Sequence, residues 1–289
     1  MKDIVYVNGE FVHKNDAKIS VFDHAFQFGD GIFEGLRFYQ RNIFRLRQHL
    51  ERLESSAKIL MIKMPWSQKE LTDIIVEACR RNELTDGYIR MMVTRGEGTI
   101  GLNPFLCTTP GLVVIATTIQ LYPESFYQTG LPIITASTRR NAPDALSGRI
   151  KSLNYLNNIM AKMEAVQAGV QEAIMLDRAG FIVECTGDNF FTIKDGVLTT
   201  PPTYQGALRG ITRDAVLEIA KALGIPTREE PLTLYEAYDA DEVFLTGSAA
   251  EIVPVSTIDG RPIGSGAGRI TKQLLAEFRK ITATDGQKF

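Results

Sequence analysis

The sequence predicts an α+β protein of two domains. Three observations carry the prediction. Turn-forming pairs such as Asn-Gly and Asp-Gly lie between runs of β-formers. Other stretches repeat apolar residues at helical spacing. A proline-bearing polar break falls before the middle of the chain. The 289 residues are enough for one large or two medium domains. A hydrophobic share of 44% excludes a disordered chain.

The opening IVYV and EFV flank Asn8-Gly9, a pair suited to a type I′ turn, so residues 4–13 read as a hairpin. Residues 45–61 place Leu46, Leu50, Leu53, Ala57 and Leu60 on one helical face. Residues 67–82 form a second helix: Ser67 can cap it, and Glu70 three residues on completes a capping box. YIRMMVTR (88–95) and GLVVIATTI (111–119) read as strands around a Gly-rich loop. These elements make a first domain over 1–120. LYPES carries the break, which sets a linker at 121–127 and a second domain at 128–289.

The second domain opens with the strand LPIITAS (131–137). An amphipathic helix follows from Leu153, with Lys151 and the cap-competent Ser152 just ahead of it. Hairpins cross DRAG (177–180) and Asp195-Gly196, and a helix runs from 211 to 223. EVFLTGS (242–248) is a strand, Asp259-Gly260 a turn, and a last helix starts near 269. Two such domains leave a cleft, a common place for a ligand.

Several function classes fall away. A net charge of −2 offers no basic surface for nucleic acid. The N-terminus carries charges where a signal peptide has its apolar core, and residues 111–121 are too short and polar to span a bilayer. Cys79, Cys107 and Cys185 are odd in number and far apart, which suits a reducing compartment and a cytoplasmic protein. His13, His24 and His49 show no metal-ligand spacing, so no metal is expected. GEGTIG (96–101) matches G-x-G-x-x-G, but Leu102-Asn103-Pro104 does not open a helix. A loop is the better reading than a dinucleotide site.

Four features carry chemistry. Gly210 precedes a helix that opens with Ile211 and Thr212, and free N–H groups there suit a phosphate. TGSAAE (246–251) is a small-residue turn after a strand, open to an anion. Lys151 is an amine next to a helix start; burial, a neighbouring cation or the helix N-terminus would lower its ordinary pKa of about 10.4 and make it nucleophilic. Glu184 ends a β-rich run and could hold a proton on a ring nitrogen. Taken alone, the first three read better as a capped surface helix, an ordinary turn and a solvated lysine, and the fourth as readily as a surface carboxylate. Together they are what pyridoxal phosphate requires.

FGDGIFEGLR (28–37), HLERL (49–53), YIR (88–90), IKSLNYLNN (150–158), the stretch from Glu184 to Asn189, LRGITRD (208–214) and TGSAAEIVPV (246–255) stand in one order along nearly the whole chain. In these motifs the chain resembles the fold-type-IV pyridoxal-phosphate enzymes, and within them the branched-chain amino-acid aminotransferases. The resemblance implies a small N-terminal domain, a larger β-rich C-terminal domain and the cofactor at their interface. It implies that Lys151 bonds the cofactor aldehyde and moves protons, and that Glu184 keeps the ring nitrogen protonated. Tyr155 then meets the ring hydroxyl, and Arg52 the phosphate. Gly210, Ile211 and Thr212 form the phosphate cup, Leu208 lies against the ring, and Ser248 adds a hydroxyl. Ser248 and Ala249 offer N–H groups to the substrate carboxylate. Phe28, Phe33 and Gly35 line the substrate side, with Phe33 an apolar wall. Tyr88 helps hold the α-carboxylate, and Arg90 meets the distal carboxylate of 2-oxoglutarate. The partners implied are amino acids, 2-oxo acids and at least one further copy of the chain.

The implied reaction moves the amino group of leucine, isoleucine or valine to 2-oxoglutarate by a ping-pong mechanism. Two departures bear on the substrate: Phe28 stands where tyrosine is usual, and Cys185 where glycine is common. The alternatives on the same fold are a D-amino-acid or amine transaminase and aminodeoxychorismate lyase. TRG (94–96) is not followed by the arginine and histidine of the first, and the Tyr88/Arg90 pair favours transamination over the last.

Overall fold

The computed structural model describes residues 2–289. In chain order its elements are β1 (Ile4–Val7), β2 (Glu10–His13), α1 (His24–Phe28), β3 (Gly31–Tyr39), β4 (Asn42–Phe44), α2 (Leu46–Ile59), α3 (Gln68–Arg81), β5 (Gly87–Thr94) and β6 (Gly111–Thr117). Then come α4 (Ser125–Thr129), β7 (Leu131–Thr135), α5 (Leu156–Gln167), β8 (Glu172–Leu176), β9 (Ile182–Cys185), β10 (Asn189–Lys194) and β11 (Val197–Thr200). The remainder are α6 (Ile211–Ala222), β12 (Thr227–Glu229), α7 (Leu234–Tyr238), β13 (Glu242–Gly247), β14 (Glu251–Ile258), β15 (Arg261–Pro262), α8 (Arg269–Thr282) and β16 (Gly286–Lys288). The chain forms two compact units. One holds the chain through Ile119 with Ile150–Tyr155 and Thr282–Phe289; the other holds Gln120–Arg149 with Leu156–Ile281.

The first unit is a seven-stranded sheet in the order β16-β4-β3-β5-β6-β1-β2. All its pairings are antiparallel. The β1–β2 turn has Asn8 and Gly9 both at positive φ, 48° and 109°, as a type I′ turn needs. In β5 the side chains alternate: Ile89, Met91 and Val93 enter the core, while Tyr88, Arg90 and Met92 take the other face. Leu50 and Leu53 of α2 and Leu71 and Ile75 of α3 are buried in the same core. Truncating any one of them to alanine costs about 2–5 kcal/mol. The Ser67 side chain accepts from Glu70 N, and Ser67 N donates to Glu70 Oε2 at 2.8 Å, which closes the expected capping box.

The segment with Lys151 departs from the sequence reading. No helix starts at Leu153; α5 begins at Leu156. Residues 150–155 lie extended along β3. Phe33 N donates to Lys151 O at 2.9 Å and Leu153 N to Gly31 O at 2.8 Å, with Ser152 bridged to Ile32. These backbone bonds to a neighbouring strand outweigh the local helical pattern. Gly31 makes the approach possible, because a Cβ there would lie 2.6 Å from Leu153 Cδ1 and 2.7 Å from Val93 O. The second domain expected at 128–289 is therefore not continuous: 150–155 and 282–289 belong with the first unit.

The second unit is a nine-stranded sheet in the order β12-β11-β10-β13-β14-β7-β8-β9, with β15 paired to β14. β11/β12, β14/β7 and β7/β8 pair in parallel and the rest antiparallel. Ile174, Ile182, Phe190, Val243, Leu245, Val253 and Val255 are fully buried in its core. The residues expected as a linker, 121–127, are part of this unit. Tyr122 is buried and donates to Asp188 Oδ2 at 3.0 Å, and Phe126 and Tyr127 pack on the core. The apolar content of that stretch, rather than its proline, decides its place.

Candidate active site

The first unit presents an amine beside aromatic rings and a second cation. β3 and β5 pair so that Phe33 faces Met92, Gly35 faces Arg90, and Arg37 faces Tyr88. The extended segment 150–155 brings Lys151 Nζ to 4.5 Å from the centre of the Phe33 ring and 3.4 Å from Tyr155 Oη. Tyr155 meets Phe33 edge-on at 5.0 Å. The Arg90 guanidinium carbon lies 4.6 Å from the centre of the same Phe33 ring and 5.6 Å from that of Tyr88. Gly35 is what lets Tyr88 lie over β3: a Cβ there would sit 1.9 Å from Tyr88 Oη. The helix terminus expected at Lys151 is absent, and its place is taken by these rings.

Beneath β3, Glu34 is fully buried. It receives Arg52 through two bonds, Nε to Oε1 at 2.8 Å and Nη2 to Oε2 at 2.7 Å. His49 Nδ1 lies 2.7 Å from Oε2. Burial raises the Glu34 pKa, but the charge and hydrogen bonds of Arg52 and those of His49 overcome it and hold the carboxyl at about 2. Burial pushes the His49 imidazole down, against the pull of Glu34. Arg52, implied as a phosphate ligand, is thus gripped on one edge by a buried carboxylate. Phe28 ends α1, half-buried, with its ring edge-on to His24 at 5.1 Å.

The second unit presents a carboxylate next to a bare helix start. Glu184, at the end of β9, accepts from Leu208 N at 2.9 Å and Asn189 Nδ2 at 3.2 Å on Oε2, and from Arg140 Nε at 3.0 Å on Oε1. Leu208 therefore engages through its backbone, which the sequence did not reveal. Asn189 also donates to Leu208 O at 2.9 Å. Gly210, the cap of α6, sits so close to Asn189 that a Cβ would lie 2.1 Å from its Oδ1. No side chain caps α6, and buried Ile211 and Thr212 open it. The turn after β13 carries half-buried Ser248 and Ala249. A Cβ on Gly247 would lie 2.0 Å from Asp188 Oδ1. Sequence reasoning missed Arg140, Asn157, Asn158 and the role of Asn189; the paired asparagines in NYLNN and the paired arginines at 139–140 were the available signals.

These groups fit pyridoxal phosphate. An uncapped twelve-residue helix with a glycine at its cap offers N–H groups and a favourable dipole to a phosphate. Glu184 meets only donors in its protein contacts, which leaves it an acceptor for a ring N–H. The first unit, taken by itself, carries an amine and a hydroxyl in Lys151 and Tyr155. GEGTIG does not compete: a Cβ on Gly98 would strike Cys107 Sγ at 2.5 Å, and only a short turn at Pro104–Leu106 follows. Among the described residues no cluster of three or more His, Cys, Asp or Glu side chains is arranged for a metal ion. None of the described helices is long and apolar enough to cross a membrane.

An α+β fold whose first unit carries a lysine on an extended segment, and whose second carries a buried carboxylate and an uncapped helix start, defines a pyridoxal-phosphate enzyme of fold type IV. The family model for amino-transferase class IV matches residues 31–258, and the chain belongs to that family. A Methanocaldococcus jannaschii protein, provisionally named a branched-chain-amino-acid aminotransferase, is 50% identical over 285 residues, 98% of each chain. The crystal structure of the Escherichia coli branched-chain amino acid aminotransferase superposes with a TM-score of 0.95 at 37% identity, covering 99% of this chain and 97% of that one. The Thermobaculum terrenum branched-chain amino acid aminotransferase in its PLP form gives 0.88 at 28% identity, covering 98% and 95%.

Proposed function

We propose that the chain transfers the amino group of L-leucine, L-isoleucine or L-valine to 2-oxoglutarate, with pyridoxal phosphate as its cofactor. The observation that carries the reading is the Phe33 ring, which packs against both the Lys151 amine and the Arg90 guanidinium. One apolar surface with one cation beside it suits an aliphatic donor and an acidic acceptor in turn. The relatives named above support the substrate class.

Pyridoxal phosphate supplies a carbonyl for the amino group and an electron-withdrawing ring. The chain supplies the rest. Lys151 Nζ would take the proton from the substrate Cα and hold it for return. Tyr155 Oη, 3.4 Å away, orients that amine. Glu184 holds the proton on the ring nitrogen. The α6 start, Arg52 and Ser248 hold the phosphate. Tyr88 and the N–H groups at Ser248 and Ala249 hold the α-carboxylate, and Arg90 the distal one. The first 2-oxo acid leaves before the second enters, so the kinetics are ping-pong.

The working form is at least a homodimer, and the compartment is the cytoplasm. Leu156, Ile159, Met160, Met163 and Val166 line α5 at helical spacing and are about half or more exposed, an apolar stripe that favours a second copy. Three free cysteines favour a reducing compartment.

The test is a visible absorption spectrum of the purified protein, titrated with L-leucine and then with 2-oxoglutarate. The cofactor band should fall with the first and return with the second. A band that leucine leaves unchanged would refute the donor assignment, and near-normal turnover in Lys151→Ala would refute the catalytic one.

A further inference from the structure

We propose that Arg140 is a positioning residue for this reaction: anchored by Asn157 and Asn158, it holds Glu184 as an oriented anion and so keeps the ring-nitrogen proton on the cofactor. The inference rests on the cofactor reading above and deepens it.

Arg140 is buried, with 7% of its surface exposed. Its Nε donates to Glu184 Oε1 at 3.0 Å, and the side chains of both residues are almost wholly out of solvent. Its Nη1 donates to Asn158 Oδ1 at 3.2 Å and Asn157 Oδ1 at 3.3 Å. Each asparagine is itself pinned: Asn157 Nδ2 donates to Arg139 O and Asn158 Nδ2 to Thr186 O, both at 2.8 Å. Asn157 Oδ1 also accepts from Asn141 N at 3.1 Å. The Arg140 backbone N–H donates to Leu176 O at 2.9 Å. Gly148 leaves room for the guanidinium, since a Cβ there would lie 2.8 Å from Nη2. The first turn of α5 is thus an anchor for one arginine, which gives the paired asparagines of IKSLNYLNN a purpose.

Glu184 then has donors on both oxygens, Arg140 on Oε1 and Leu208 and Asn189 on Oε2. A proton shared between a ring nitrogen and a carboxylate in a dry site can lie on either atom. A guanidinium bonded to the carboxylate favours the anion, so the proton stays on nitrogen. Without Arg140, proton transfer gives an uncharged acid and an uncharged ring, which a low-dielectric site prefers. The ring then withdraws electrons less well, and loss of the substrate α-proton slows. A buried ion pair of this kind does not need to add net stability; its return here is the charge state of Glu184.

The experiment loads the holoprotein with pyridoxal phosphate labelled with 15N in the ring and reads the nitrogen resonance by NMR. The native protein should show a pyridinium nitrogen. Arg140→Met should keep the cofactor but move the resonance toward pyridine, with kcat down at least tenfold and KM for leucine little changed. Arg140→Lys should restore the pyridinium signal in large part, which a purely packing role would not predict. If Arg140→Met fails to fold, the double variant Asn157→Ala/Asn158→Ala, which keeps the arginine but frees it, decides: a partial move toward pyridine supports the proposal. A full pyridinium signal in the Arg140→Met holoprotein, or in the double variant where that one does not fold, overturns it, as does a pyridine-type nitrogen in the native holoprotein. A native protein that takes up no cofactor would instead refute the function proposed above.

Discussion

Replacing Glu34 by glutamine keeps its shape and removes its charge, and the cost can be worked from the site. The carboxyl is fully buried and is held at about 2, from an ordinary value of 4.5. At about 1.4 kcal/mol per pH unit, that displacement corresponds to roughly 3 kcal/mol of stability. It agrees with the roughly 3–5 kcal/mol lost when one partner of a buried pair is removed. At about 2–4 °C per kcal/mol for a chain of this size class, Tm should fall by about 6–12 °C near neutral pH. The folded-state pKa is depressed, so the contribution is complete above about pH 4.5 and is lost as pH falls toward 2. The assay is calorimetry of cofactor-free native and Glu34→Gln protein from pH 6 to 2.5. His49 titrates in both, so the difference between the two curves chiefly reports Glu34. The two melting temperatures should converge at low pH. A gap that stays constant across the range, or none at pH 6, would refute the charge argument.

Gly35→Ala should evict the Tyr88 hydroxyl, which a Cβ would meet at 1.9 Å; we expect KM for leucine to rise about tenfold, roughly 1.4 kcal/mol, while the cofactor absorbance is unchanged. Arg90→Ala should raise KM for 2-oxoglutarate at least tenfold more than for leucine, and equal losses in steady-state assays would remove it from the distal-carboxylate role. Burial pushes the Cys79 thiol to about 12 and that of Cys185 well above its usual range. Both should therefore resist a thiol reagent at pH 8 until the protein is unfolded, as mass spectrometry of the labelled protein can show.

Much of the fold was legible because local chemistry and tertiary context agree. Asn8-Gly9 turns where two positive φ values are needed, and Ser67 with Glu70 caps α3 as its spacing says. The Lys151 segment misled because the two disagree. Its residues pattern as a helix, yet Gly31 and Phe33 offer backbone partners that only the folded strand β3 can present. The linker misled for a similar reason: Tyr122 finds a buried partner in Asp188, 66 residues on. Of the candidate site, the residues that lie in a recognisable motif, Glu184, Thr212 and Arg90 among them, could be named from the sequence as candidates. Arg140 was not, because an arginine that acts on a carboxylate 44 positions away leaves no local pattern. Asn157 and Asn158 sat inside a motif, but nothing local said which charge they hold.

The outer strand of the first sheet is made of residues 286–288, paired to β4 at residues 42–44. Asn42 bonds Thr282 O, and Arg45 bonds the Asp285 carboxylate. During synthesis the earliest sheet to emerge therefore waits for residues made some 240 positions later. Until then β4 is a bare edge, open to any strand that reaches it first. A chain released early would carry every motif through TGSAAE and still expose that edge. The closing of this edge is thus a late event in the life of the chain, set by the 240 positions that separate Asn42 from Thr282.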